Sequence, residues 1–584
     1  MPVPKNMRNI FLILFLSFIL FNSAQAQDPF AKIVEQRSQN KKIQECIYGG
    51  LLFLADRQVL DRQGKHSCMF DATESTSGAK NRAFINLPFL TGIPIYPGNK
   101  RPAVNAIGGW AGTVHALPKT LGFKNGNSIL SRPDFNLFIP MSVLYPLFLF
   151  DESDIPPDKR IISKMIKNSW NTLESYNRGS AYNFWLPLKS HPEYTGPGNL
   201  SFVPLEKLSQ LIKTEQYQSL RNKNAKKKYV PDATWSARFL DKELNPTGGI
   251  AMFNIPNDGD DAALVIAFQQ LRKLLYEQYP KDEFFSNPDN YPIDHKTLRQ
   301  FALYRDIDRL PANEDGRDTW KGYNSGAYLT WFKDEADPVF DNPMKGTIPF
   351  GKNNVDGLVN ANILYMLGLL NASDYPGYSD CINLVSKAII VQSWPKCGLY
   401  YPQLMMFPYA ASRAFRDGQI KELKPAMAVL LRQILNLKEI YSSQDRSHKG
   451  AFPGGEDPTD HLSTALAVCA LLNISREVAR EEGLVSKYDE AINEGIKYLM
   501  KKRRRYALVN NNELPLHPAG EKNIKAYRWK SGLYFSSSFW DLAHWRSEAF
   551  TVAMVIEAVS KYALAWDYRE SGIITGSRYK LVFK

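Results

Sequence analysis

The sequence predicts an all-α fold, a single (α/α)6 toroid of six helical hairpins. Three observations predict it. About twelve segments carry apolar residues at helical spacing. The segments alternate between two kinds, one apolar on nearly every side and one amphipathic with many charges. Before each segment of the first kind lies an irregular stretch rich in Gly, Pro, Asn and aromatics.

In chain order the segments are 38–54, 136–150, 159–176, 261–279, 295–306, 359–370, 378–391, 405–415, 423–440, 462–473, 487–503 and 546–563. VNANILYMLGLL, HLSTALAVCALL and EAFTVAMVIEAV belong to the apolar kind, and a helix apolar all round is buried on all sides. The charged kind belongs on a surface. An inner ring wrapped by an outer ring satisfies both, with inner helices starting near Asn136, Asp261, Val359, Met405, Leu462 and Arg546. An irregular helical solenoid is the competing architecture, and would show a more constant repeat length.

Residues 1–26 read as a secretory signal peptide. Lys5 and Arg8 precede the apolar run Ile10–Phe21, and Ala24-Gln25-Ala26 is a small-x-small cleavage site. The run is short of the roughly 20 residues that span a bilayer. The expectation is export to the periplasm or beyond, with 27–584 as one toroid domain carrying a long loop insertion near 187–247. Cleavage removes two cations and no acid from a formal net charge of +13. The remaining excess suits an anionic glycan or contact with a lipid headgroup surface. The dense basic runs, Lys226–Lys228 and Lys501–Arg505, read as a loop and a solvated helix end. No nucleic-acid-binding motif is present. Of five cysteines, Cys46 with Cys68 and Cys381 with Cys397 are the local disulfide pairings. Cys469 reads as a core thiol. None has the spacing of a zinc or redox site, and no cofactor is expected.

Parallel inner helices would open their N-termini on one mouth, lined by the irregular stretches. Function concentrates on loops held by a rigid scaffold. The mouth sequences are GGIAMFNIPNDG, FGKNNVDG, LYYPQLMMFPY, KGAFPGGEDPTD and LYFSSSFWDLAHW. They place Asp356, Asn360 and Asn362 at one helix start, and Glu456, Asp457, Asp460 and His461 at the next. Trp540, Asp541, His544, Trp545 and Glu548 form the densest cluster. Around these lie Trp320, Tyr323, Trp331, Tyr400, Tyr401, Phe407, Tyr409, Tyr534, Phe535 and Phe539. Aromatic walls attract cations to their π faces and also stack on sugar rings.

Asp258-Gly259-Asp260-Asp261-Ala262-Ala263 resembles the DxDD(T/S)A signature of class II terpenoid cyclases. Asn354–Leu367, NVDGLVNANILYML, is similar to a helix start in bacterial members of that group. The apolar segments at 461–472 and 548–559 resemble inner helices of the wider terpenoid cyclase/protein prenyltransferase toroid superfamily. The resemblance covers about Gly248 to Tyr568 as architecture and some twenty residues as motif. Ala262 stands where the family has Thr or Ser, and Gln-Trp repeats are absent. One toroid's worth of helices replaces the two helical domains usual in class II enzymes.

The resemblance implies that Asp260 is a general acid that protonates an alkene, with Asp258 and Asp261 holding and polarising it. Clustered carboxylates cannot all ionise cheaply, so one keeps its proton. Two other readings of the aspartates stay open. They cap the helix that follows, or they hold a calcium ion through hard oxygen ligands. Two other functions also stay open. One is a glycan-active hydrolase or lyase pairing Asp260 with Asp460 or Glu548 across a scissile bond. The other is a binding toroid without catalysis. Substrate-contacting residues are expected among Asn360, Asn362, Asp460, His461, Trp540, Asp541, His544, Trp545 and Glu548. Asp260, Asn360, His461 and Glu548 should approach one mouth.

Overall fold

A computed structural model describes residues 29–62, 65–66, 105–116, 130–151, 160–189, 192, 195–196, 255–278, 292–308, 324–333, 353–457, 459–508, 525–536, 543–569 and 579–580. The leader 1–26, most of the 187–247 insertion, and Cys68, Trp540 and Asp541 lie outside the described residues.

Each of the twelve expected helices is present. The outer set is Lys41–Arg57 (α2), Ile161–Leu173 (α4), His295–Leu303 (α6), Tyr378–Ile390 (α8), Lys424–Gln444 (α10) and Val485–Lys502 (α13). The inner set is Phe138–Leu147 (α3), Gly259–Gln278 (α5), Gly357–Leu369 (α7), Met406–Arg416 (α9), His461–Ile474 (α11) and Glu548–Ala563 (α14). Helices Pro29–Ser38 (α1) and Arg476–Glu481 (α12) are additional. Each inner helix packs on the next, α3 on α5, α5 on α7, and so on to α11 on α14, and α14 packs back on α3. That closure makes the molecule a ring of six helical hairpins and excludes a solenoid. All residues of α11 are buried, as its predominantly apolar sequence requires. No described helix is long and apolar enough to cross a membrane.

The inner helices run parallel. Near their starts, Asp260 of α5 meets Asn362 of α7. At the opposite ends, Tyr145 of α3 and Lys561 of α14 converge on Asp417, which follows α9. A chain of buried polar groups runs along the ring axis between these ends. Lys561 Nζ lies 2.9 Å from Glu557 and 3.6 Å from Asp417, and bonds Asn473 of α11 at 2.8 Å. Burial opposes the charge on Lys561, but Asp417 and Glu557 outweigh it and raise its pKa. Tyr409 donates to Glu557 at 2.8 Å, and Arg413 donates to Asn362 at 2.8 Å.

Three expectations need correction. The stretches before α3 and α14 are not irregular throughout. Gly112–Ala116 (β1), Leu130–Asp134 (β2), Gly532–Ser536 (β3) and Ala543–Ser547 (β4) form an antiparallel sheet in the order β2-β1-β4-β3. The last helix accordingly starts at Glu548 and not at Arg546. Arg546 is held in the strand by pairing, and extended Ser547 caps the helix by accepting from Phe550 N at 3.1 Å. The third correction concerns Cys381 and Cys397, which are both free and buried. The Cys381 thiol donates to the Asn360 carbonyl at 3.2 Å, which puts it in the α7–α8 packing.

Removing one partner of a buried ion pair strands the other, at a cost of about 3–5 kcal/mol. Lys561→Met should therefore lose about 3 kcal/mol or more in urea unfolding. Adding Glu557→Gln should recover part of that. A single variant within about 1 kcal/mol of wild type would mean that the axial charges do not hold the ring closed.

Candidate active site

The three aspartates at the start of α5 divide into separate roles. Asp258 precedes the helix, and its Oδ1 accepts from Asp261 N at 2.8 Å, the bond of an N-cap. One residue thus does the capping, and Asp260 and Asp261 are left for other contacts. Asp260 accepts from Asn362 Nδ2 at 2.6 Å and from the Tyr401 hydroxyl. The Asp261 carboxylate is buried without a hydrogen-bond partner. No group of three or more His, Cys, Asp or Glu among the described residues is placed to hold a metal ion.

Asp258 and Asp260 face a pocket at the ring mouth. Its walls are largely aromatic: Phe184, Trp185, Trp331, Tyr400, Tyr401, Phe535 and Trp545, completed by Ile255, Thr330 and Val359. It encloses about 550 Å³ of empty space, including its opening to solvent. Trp545 and Phe535 meet edge to face at 4.9 Å, and Phe535 stacks on Phe184 at 5.0 Å. Trp331 Nε1 donates to the Tyr400 hydroxyl at 3.0 Å, so that indole's polar edge is satisfied. A second, smaller cavity of about 330 Å³ lies among Phe138, Met141, Leu264, Phe268, Asn362 and Arg413. Phe138 of this cavity and Tyr401 of the mouth pocket are in ring contact at 5.5 Å.

Burial sets the electrostatics. It is the largest effect on all three carboxyls, and it favours the protonated form of each. Asp258 is pushed up to about 8 by burial and then by Asp260. Asp261 is raised well above the usual range by burial, Asp258 and Asp260. Asp260 is also raised by burial, but Tyr401, Asn362 and Arg413 oppose the shift by favouring its anion. The Asp258 anion is met by backbone N–H groups, and the Asp260 anion by two side-chain donors, the Tyr401 hydroxyl and the Asn362 amide.

The other expected residues are spread around the rim. Asn360 exchanges two hydrogen bonds with the Tyr328 backbone, at 3.0 and 2.9 Å, and so fastens loop 324–333 and not a ligand. Asn362, two positions on, turns inward to Asp260. Asp356 caps α7. Asp460 makes no capping bond, and its carboxylate accepts from Tyr441 and Tyr498. His461 Nδ1 accepts from Lys530 N at 3.0 Å. Burial and the nearby Lys502, Arg504 and Lys530 lower its pKa to about 4, which keeps it neutral. Glu548 pairs with Arg528 at 2.9 Å. His544 is buried within β4. Asp258, Asp260 and Trp545 share the pocket, with Asn362 behind Asp260. Asn360, His461 and Glu548 do not join them, because each is bound to local structure. Neither Asp460 nor Glu548 lines the pocket with Asp260, so neither of these two expected pairs is assembled there.

Phe184 and Trp185 are pocket residues that the pattern analysis does not single out. Their signal was the aromatic pair in Asn183-Phe184-Trp185, set in a segment read as loop.

The raised carboxyls make stability depend on pH. Asp258 keeps its proton in the folded protein to about pH 8 but loses it near pH 4 when unfolded. Between these values the folded state binds more protons, so stability is full below about pH 4 and falls as pH rises. Asp258→Asn retains a good N-cap and removes the titration. Its melting temperature should match wild type at or below about pH 4 and exceed it by a few degrees near pH 8. Parallel curves would assign the loss to other groups.

No family model matches the sequence, and no curated protein matches it. Among solved structures, the chain is similar to a variant of the type II terpene cyclase MstE from Scytonema in complex with its substrate, geranylgeranyl dihydroxybenzoate. The identity is 10% and the TM-score 0.40, over 83% of this chain and 98% of that one. The toroid itself is established by the closed contacts of its own inner helices.

Proposed function

We propose that this protein is an acid-initiated enzyme of the class II terpenoid cyclase type, acting on an apolar, isoprenoid-type substrate, with Asp260 as general acid. The observation that carries the reading is a buried carboxyl on the wall of an aromatic pocket, with two side-chain donors placed for its anion. In the reaction the Asp260 proton moves to an alkene carbon. The alkene π pair forms the new C–H bond and leaves a tertiary carbocation. Tyr401 and Asn362 then stabilise the aspartate anion, which makes Asp260 a stronger acid than its desolvation alone would allow. The parallel start of α5 adds a positive helix terminus beside it. Trp and Tyr faces are suited to the cation. Loss of a proton from the cyclised product or capture by water ends the sequence, and solvent restores the Asp260 proton.

The signal-like residues 1–26 support placing this chemistry outside the cytoplasm, in the periplasm or secreted. A glycan substrate finds less support, because the carboxylates it would need are occupied by Tyr441, Tyr498 and Arg528.

The test is Asp260→Asn, assayed against polyprenyl and oligosaccharide sets beside a melting curve. Turnover of a polyprenyl substrate should fall by about 100-fold or more, the scale of a lost general acid. The melting temperature should stay level or rise, since a desolvated carboxyl is removed. A destabilised variant with undiminished turnover or binding would sink the catalytic role of Asp260.

A further inference from the structure

One buried carboxylate at the mouth has no part in the chemistry above. Asp134 ends β2 and is fully buried. Its polar neighbours are neutral N–H groups. Trp185 Nε1 donates to Oδ1 at 2.9 Å, and Asn136 Nδ2 donates to Oδ2. Asn136 in turn bonds the Tyr534 hydroxyl at 2.7 Å. The Trp545 N–H lies close enough to favour the Asp134 anion without reaching hydrogen-bond geometry. Burial pushes Asp134 up to about 7, against these donors. Trp185 and Trp545 both line the pocket, and their rings are 6.4 Å apart. Asp134 does not line it. Two indoles therefore stand between a buried anion and the pocket.

That arrangement has a physical consequence. A carboxylate on the N–H edge of an indole fixes the ring plane, and its negative charge makes the ring face a better partner for a cation. Among the described residues no cation pairs with this buried anion, which leaves a charge that a pocket cation can balance through the rings.

We propose that Asp134 is a positioning residue that makes the Trp185–Trp545 wall a cation-binding surface, so that the mouth pocket selects a compact apolar cation over a neutral group of the same shape. The inference rests on the reading of the pocket as the place where a carbocation forms. It extends that reading to a residue outside the aspartate motif, contributed by the strand that leads into the first inner helix.

The test measures binding and needs no turnover. Choline, whose head is a trimethylammonium, is compared with its neutral tert-butyl isostere by calorimetric titration near pH 8. Wild type should prefer the cation by about tenfold, the scale of a desolvated cation–π contact. Asp134→Asn should cut that preference to about twofold or less and leave the affinity for the neutral isostere unchanged. Trp185→Phe keeps a ring face but removes the donor to Asp134, and should show the same selective loss if Asp134→Asn fails to fold. An inactive enzyme that still prefers the cation would refute the proposed reaction and leave this inference standing. Equal affinity for the two probes in wild type would overturn it. So would an Asp134→Asn protein that loses both probes equally, or a Trp185→Phe protein with the full preference, since a purely structural role moves both ligands together.

Discussion

The ring depends on charges that no water reaches. Lys561, Glu557 and Asp417 are fully enclosed on its axis, with Arg413 beside them. Such groups are tolerable only when each finds its partners at once. The partners come from different helices: Tyr145 from α3, Tyr409 and Arg413 from α9, Asn473 from α11, and Glu557 and Lys561 from α14. Through Asn362 of α7 and Asp260 of α5, the same chain of hydrogen bonds reaches the remaining two inner helices. Apolar burial supplies most of the attraction between the helices, but it is nearly indifferent to small rotations of one helix against another. The axial network is not indifferent to them. A rotation of α9 that displaced Arg413 would leave Asn362 free to turn, and the orientation of Asp260 would go with it.

This couples the strongest part of the core to the most reactive part of the mouth. Asp260 has two donors, and one of them, Asn362, is held from below by a buried guanidinium. The other, Tyr401, belongs to the chain just before α9 and packs against Phe138 and Phe535. The Asp260 carboxyl is thus held from both sides by groups whose positions are set elsewhere, which is the preorganisation that the proposed acid catalysis would require.

Much of the architecture was legible because inner helices such as α7 and α11 are largely apolar around their whole circumference. The start of every inner helix falls within two residues of the expected position, from Phe138 to Glu548. The mouth sheet was not legible. Its strands are short and one carries Pro133, and the pairing that joins its two local pairs, β1 with β4, links residues more than 400 positions apart, which no local period records. In the site, Asp260 and the aromatics Trp331, Tyr400, Tyr401 and Phe535 were visible as types in the right segments. Asn360 and Asn362 illustrate the limit. Both begin the same helix and both are buried amides, yet only the two-residue offset between them, about 200° around an α-helix, decides which one reaches the acid. Asp134 was hidden for a different reason. It is single, it lies outside every motif, and its importance comes from the edges of rings that belong to other parts of the chain.

The sheet that seals the ring has a consequence for how the protein is made. It joins β1 and β2, near residues 112–134, to β3 and β4, near 532–547. During synthesis on a ribosome, α3 exists long before its neighbour α14. Contacts between such distant residues form slowly, because a very long loop must close first. Until then α3, buried on every face in the finished ring, has one flank without a partner. A nascent chain in this state is a natural client for a holding chaperone. A chain cut before residue 532 would not yield a smaller toroid, because it would have two adhesive edges and nothing to close them.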